Sequence, residues 1–135
     1  MGRSLLILLD THVLLWLAMD QSRISKKAGA AIDGARQSGS GLAISDMTLL
    51  EVAQLAHRGR ISIPTGVESF LSEVERRFAV LAITARIAAQ AFSLPASYPS
   101  DPADRVIGAT AMVEGISLIT ADRAIRESGD VSTIW

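Results

Sequence analysis

The stretch Leu5-Leu6-Ile7-Leu8-Leu9-Asp10-Thr11-His12 sets the reading of the whole chain. Five consecutive aliphatic side chains predict a strand buried on both faces, and such strands belong to parallel sheets covered by helices. Asp10 follows where that strand should run out into a loop. A carboxylate there is costly unless something positive meets it. In open α/β sheets, ligands bind just beyond the carboxyl ends of the strands, so Asp10 is placed to meet a metal ion or a phosphate. Whether it does so depends on which other acids reach the same edge.

With 135 residues, the chain is sized for a single domain, 1–135, that buries most of its apolar surface without staples. It has no cysteine, which excludes disulfides, thiolate zinc sites and a cysteine nucleophile. Imidazole chemistry is limited to His12 and His57. The formal net charge of -1 gives no global attraction to nucleic acid. Even so, eleven of the 13 cations are arginine, whose planar fork grips phosphate, so a local basic rim is compatible with that charge. Arg3 ahead of an apolar run imitates a signal peptide, but Asp10 and His12 interrupt the run, and nothing approaches the ~20 apolar residues that span a bilayer. The expectation is a cytoplasmic protein without a membrane segment.

Downstream, helical and strand patterns alternate. Helices are predicted over 13–19 and, from a Ser25 cap, over 26–36, where Ser38-Gly39-Ser40-Gly41 breaks the second. Leu42-Ala43-Ile44 reads as a buried strand, and Ser45 caps a helix over 46–57. On that helix Met47, Leu50, Glu51, Gln54 and Leu55 recur at spacings of three and four, which sets Glu51 beside an apolar stripe. Ile61 to Pro64 is an extended link, Thr65 opens a helix to Arg77, 79–83 is a third strand, and Thr84 caps a helix to Phe92. After a proline-containing loop over 94–99, Asp101 caps a helix that has Pro102 at its first position and runs to Glu114. Ile116 to Ile119 is a strand with Thr120-Ala121-Asp122 at its carboxyl end; a brief helix follows over 122–127, and 131–135 adds an edge strand. Short strands alternating with helices give an α/β fold with a parallel sheet.

Four acids share one logic. Asp10 and Asp122 stand at strand ends, and Asp104 lies in the first turn of its helix, on the side of Ile107, Gly108 and Ala111. Glu51 joins them if its helix crosses the same edge. Four carboxylates in one pocket raise one another's pKa unless cations intervene. Magnesium or manganese suits carboxylates with no thiol or imidazole cluster nearby. Such ions activate water and stabilise a leaving oxygen, which points to a metal-dependent nuclease or phosphatase.

Four segments carry a resemblance: Leu8 to Trp16, Ser45 to Val52, Asp101 to Ala111 and Leu118 to Asp122. In this order and spacing the chain resembles the PIN-domain ribonucleases, closely the VapC toxins of bacterial toxin and antitoxin pairs. That resemblance implies a three-layer α/β/α sandwich with a five-stranded parallel sheet, and Mg²⁺- or Mn²⁺-dependent endonucleolytic cleavage of RNA. It also implies a homodimer and inhibition by a cognate VapB-type antitoxin whose tail enters the active-site groove. Asp10, Glu51 and Asp104 match the three core acids of the family, and Asp122 matches its fourth, more variable one. Gly108 stands where many relatives have alanine.

Around these four, plainer explanations compete with chemical ones. Capping ahead of Pro102 accounts for Asp101, though a supporting role at the metal is compatible with the resemblance. Thr120 is read as orienting the site behind the metal ligands. Arg105 and Arg123 lie beside two of the acids and are candidates for substrate phosphates, although for either alone a solvated surface position is the plainer reading. His12 is read as structural rather than as a base, since a metal mechanism requires no side-chain base. It also stands where an aspartyl-phosphate phosphatase would need a second aspartate, which counts against that class. A catalytically inactive RNA- or partner-binding module is the other alternative, although an empty acidic pocket would repel RNA.

Overall fold

The computed structural model describes residues 6–135. Leu5, the first residue of the expected opening strand, lies outside the described residues. β1 (Ile7–Leu9) is followed directly by α1 (Thr11–Met19), and Asp10 between them is the N-cap of α1. The helix therefore begins two residues earlier than expected, because the acid itself supplies the cap. A 3₁₀ turn over Gln21–Arg23 leads to α2 (Lys26–Ser38), which Ser25 caps and which Gly39 ends in the left-handed conformation at φ 75°. β2 (Leu42–Ser45) runs straight into α3 (Asp46–His57). α4 (Val67–Arg77) then leads to β3 (Ala79–Leu81), α5 (Ala85–Ala91) and α6 (Pro102–Glu114). β4 (Ser117–Ile119), α7 (Arg123–Ser128) and β5 (Thr133–Ile134) complete the chain.

Three local expectations change. Thr65 does not open α4; Gly66 does, at φ 89° and without a side-chain capping bond. β3 stops at Leu81, and beyond it the Ile83 N–H donates to Asp46 Oδ2 at 3.2 Å instead of joining a strand ladder. On α3 the inward face is Thr48 and Val52, both fully buried, whereas Leu50 is 65% exposed. Glu51 thus flanks a polar and apolar pair four residues apart, not the stripe through Leu50.

All five strands are parallel, in the order β3-β2-β1-β4-β5. The chain lays β2 and β3 to one side of β1, then returns to place β4 and β5 on the other. The direction of growth reverses between β1 and β4, the crevice where ligands bind in such sheets. Side chains alternate across the sheet as the strand period requires. Leu9, Leu42, Ile44 and Ile119 pack with Val13 and Leu14 of α1, Ile32 of α2, and Val74 of α4. Leu8, Ala43 and Leu118 pack with Ile107 and Ala111 of α6 and Ile125 of α7. The result is the α/β/α sandwich the resemblance implies.

α6 is the most deeply set helix, with every residue from Arg105 to Ala111 buried. Gly108 makes this possible. A β-carbon there would collide with the Tyr98 hydroxyl and lie 2.8 Å from Tyr98 Cζ, so the tyrosine ring rests on bare helix backbone.

Candidate active site

Asp10 is fixed from two sides. Its Oδ1 accepts from the Thr11 N–H at 2.9 Å, the capping bond of α1, and its Oδ2 accepts from Thr120 Oγ1 at 2.7 Å. Thr120 is fully buried at the end of β4, and its hydroxyl oxygen also accepts from the Asp122 N–H at 3.0 Å. One side chain thereby couples the carboxyl end of β1 to the loop that carries Asp122, across the switch-point crevice. Asp122 in turn caps α7, accepting from the Ile125 N–H at 3.1 Å, and is otherwise exposed.

Glu51 arrives from α3, which starts at the carboxyl end of β2. Its Oε1 accepts from Thr11 Oγ1 at 2.5 Å, and Thr11 Oγ1 lies 3.0 Å from Thr48 Oγ1. With Glu51 ionised, the Thr11 proton goes to the carboxylate, so the Thr48 hydroxyl donates to Thr11. Both threonines are fully buried. The first residue of α1 and one residue of α3 thus hold Glu51 through a short hydroxyl chain. Sequence reasoning missed this chain. Its one local signal is Thr48-x-x-Glu51, two polar residues on adjoining positions of one helix face.

Asp104 sits half-buried in the first turn of α6, and Asp101 caps the same helix, its Oδ1 accepting from the Ala103 N–H at 2.9 Å. Asp10, Glu51, Asp101, Asp104 and Asp122 line one cavity of about 290 Å³, together with His12, Trp16 and Ala121. No lysine or arginine is among these lining residues. The electrostatic consequence is plain. Burial pushes the Asp104 carboxyl up to about 7, and the negative charges of Asp10, Asp101, Glu51 and Asp122 add to the shift. Glu51 is raised by burial and by Asp10 and Asp101, against the Thr11 hydrogen bond. Asp10 is raised by burial, although Thr120, Thr11 and His12 pull the other way.

The two candidate arginines lie elsewhere. Arg105 is only 8% exposed, and its guanidinium donates to the carbonyls of Ala91 (3.1 Å), Leu94 (3.0 Å), Pro95 (3.0 Å) and Tyr98 (3.3 Å). The expectation that it meets substrate phosphate is corrected: its donors are consumed by the loop before α6. Successive residues on a helix are rotated by about 100°, so a neighbour of Asp104 in sequence faces away from it. Arg123 is exposed and pairs with Glu127 at 2.9 Å on the surface of α7, outside the cavity lining.

The chain matches the PIN domain family over residues 7–130. It belongs to that family. Over 120 residues it is 39% identical to Ribonuclease VapC22 of Mycobacterium tuberculosis (strain ATCC 25618 / H37Rv), covering 89% of each chain. This PIN domain also superposes on solved structures. VapBC from Salmonella typhimurium, in its DNA-bound crystal structure, gives a TM-score of 0.70 at 17% identity, with 94% of this chain and 95% of that one covered. VapBC2 from Rickettsia felis, bound to a DNA fragment from its promoter, gives 0.69 at 13%, with 95% and 96% covered. At those identities the structures share the fold, and the mycobacterial relative places this PIN domain in the VapC branch.

Proposed function

We propose that this PIN domain is an endoribonuclease toxin, dependent on Mg²⁺ or Mn²⁺, that a cognate VapB-type antitoxin neutralises. The observation that carries the reading is the convergence of Asp10, Glu51, Asp104 and Asp122 on one cavity without a lysine or arginine to balance them. The 39% identity to a protein named as a ribonuclease supports the reaction class. Fold neighbours that are VapBC complexes support the antitoxin.

The donor set fits a hard divalent cation. All donors are carboxylate oxygens, and three of them carry raised pKa values caused by burial and mutual repulsion, which a cation would relieve. Among the described residues, no three acids are drawn together into a finished cage. Magnesium does not need such a cage, since it keeps several of its waters and takes only one or two carboxylates directly. When bound, such an ion supplies an acidified water and stabilises charge on phosphoryl oxygens. Asp10, Glu51, Asp104 and Asp122 are its proposed holders. Thr120 keeps one Asp10 oxygen turned inward, and the Thr48–Thr11 chain does the same for Glu51. Asp101 shapes the rim while capping α6.

Among the described residues, no helix is long and apolar enough to cross a membrane, and we place the protein in the cytoplasm with its RNA. A homodimer is proposed from family resemblance. Leu50, Ile83, Phe92 and Met112 are exposed apolar side chains of the kind an interface covers. The test is direct. Purified protein, freed of any copurified partner, should cut single-stranded RNA with Mg²⁺ or Mn²⁺, stop on chelation, and lose cleavage in Asp10→Asn. Intact RNA in the presence of folded protein and metal, or cleavage by Asp10→Asn at the wild-type rate, would overturn the reading.

A further inference from the structure

The carboxylate cavity has an aromatic wall that no metal chemistry explains. His12 and Trp16 line the cavity together with the acids. They lie one turn apart on α1, with ring centroids 6.2 Å apart. Trp135 follows β5, so the parallel sheet delivers it to the same carboxyl edge, and its ring centroid is 5.8 Å from that of Trp16 at 53°. The Arg23 guanidinium carbon stands 4.7 Å over the Trp16 ring.

We propose that His12, Trp16, Arg23 and Trp135 form a nucleobase subsite that stacks an unpaired RNA base beside the carboxylates. The proposal rests on the ribonuclease reading and names where that substrate is gripped. Both tryptophans are half-buried, their inner parts packed against the core, while His12 and Arg23 are exposed. His12, Trp16, Arg23 and Trp135 thus form one contiguous cluster of rings and a guanidinium, of which His12 and Trp16 reach the charged cavity. Unpaired RNA bases are held in proteins by stacking on aromatic rings and arginine planes. Electrostatics argue the same way. Five acids line the cavity, and they repel phosphate wherever metal does not neutralise them. Stacking on a base is a contact that this repulsion leaves intact. Because every base has a π-face, the subsite adds affinity without dictating a sequence.

The chain has two tryptophans; Trp16 lines the cavity and Trp135 packs against Trp16, so intrinsic tryptophan fluorescence reads the subsite. A short single-stranded oligoribonucleotide, titrated with Mg²⁺ into the Asp104→Asn variant to keep the RNA intact, should quench that fluorescence saturably. An abasic sugar-phosphate oligomer of the same length should bind about tenfold more weakly and leave the emission unchanged. With the acids intact, Arg23→Ala and Trp16→Leu should raise KM for RNA about tenfold while kcat changes little, and Trp16→Phe should retain most of the affinity. Arg23 is exposed, so its variant stays interpretable even if Trp16→Leu does not fold. Equal binding of RNA and the abasic oligomer without quenching overturns the subsite, as does a wild-type KM in Arg23→Ala or in folded Trp16→Leu. Quenching by a copurified partner protein with none by RNA also overturns it. RNA-induced quenching in a protein that never cuts would uphold the subsite and remove the nuclease reading, so the two fail separately.

Discussion

Asp104 shows how burial converts an ordinary carboxyl into a responsive one. Its pKa, pushed up to about 7 by burial and then by the surrounding acids, exceeds the ~3.9 of an unfolded aspartate. Between those two values the folded chain holds a proton that the unfolded chain has released. Metal-free stability should therefore fall as pH rises from about 4 through about 7. Asparagine at 104 has no charge to repel, so Asp104→Asn should flatten this part of the profile and raise the metal-free melting temperature at pH 8 by about 2–4 °C. The same change should remove RNA cleavage. A destabilised Asp104→Asn protein at pH 8 would contradict the electrostatic account. Thr120 makes the opposite case. Its hydroxyl serves Asp10 and the Asp122 N–H at once, so Thr120→Val leaves a buried carboxylate oxygen without its donor. The expected loss is about 2 kcal/mol, measured by urea unfolding, with Thr120→Ser restoring most of it. That the four acids share one cavity was legible only from the set: each alone has a plain reading as a turn, cap or helix-dipole residue, and their positions at strand ends and helix starts are what joined them. The Thr11–Thr48 link was not legible, since its members are 37 residues apart and only the packing of α1 against α3 makes them neighbours.

At the scale of elements, α6 and the loop before it form one unit. Arg105 ties four carbonyls of residues 91–98 to the helix, and Tyr98 fills the notch at Gly108 while its hydroxyl bonds the Asp104 carbonyl at 3.4 Å. Arg105→Met keeps much of the volume but leaves buried carbonyls unpaired, and it should cost about 3 kcal/mol or more in chemical denaturation. Arg105→Lys should recover little, since a single ammonium cannot reproduce the planar fork. A neutral Arg105→Met would mean that the loop is held by its apolar contacts alone. Gly108→Ala should destabilise this chain by about 1–3 kcal/mol because Tyr98 is already there. Pairing it with Tyr98→Leu should recover part of the loss. Most helices announced themselves through caps that the structure keeps: Ser25, Ser45, Thr84 and Asp101 all accept the capping bond. α4 did not, because Gly66 caps by conformation and leaves no side-chain mark, while the nearby Thr65 looked like a better candidate. Arg105 was misread for a related reason: adjacency in sequence says nothing of which face a helical residue takes.

For the molecule as a whole, strand order decides function, and it is the feature least written in any one segment. The alternation of elements predicted a parallel sheet. Which strands are neighbours follows only from pairing β1 with both β2 and β4, and that arrangement puts the switch point under Asp10 and Thr120. The fold gathers its acids there at an electrostatic cost, since a cavity lined by five carboxylates with no lysine or arginine opposes its own ionisation. A cation that binds the folded chain alone stabilises it by mass action, by about 2.7 kcal/mol at a hundredfold excess over Kd. For a domain of this length that corresponds to a rise in melting temperature of about 8 °C. Mn²⁺ or Mg²⁺ should therefore raise the melting temperature at pH 8 in scanning calorimetry, and chelation should reverse the gain. At pH 5 the gain should shrink, because protons then hold the Asp104 carboxyl and compete with the ion. Glu51→Gln and Asp104→Asn should each reduce the metal response while leaving the metal-free protein folded. A melting temperature indifferent to both ions at pH 8, in protein freed of any partner, would sink the metal centre while leaving the fold untouched.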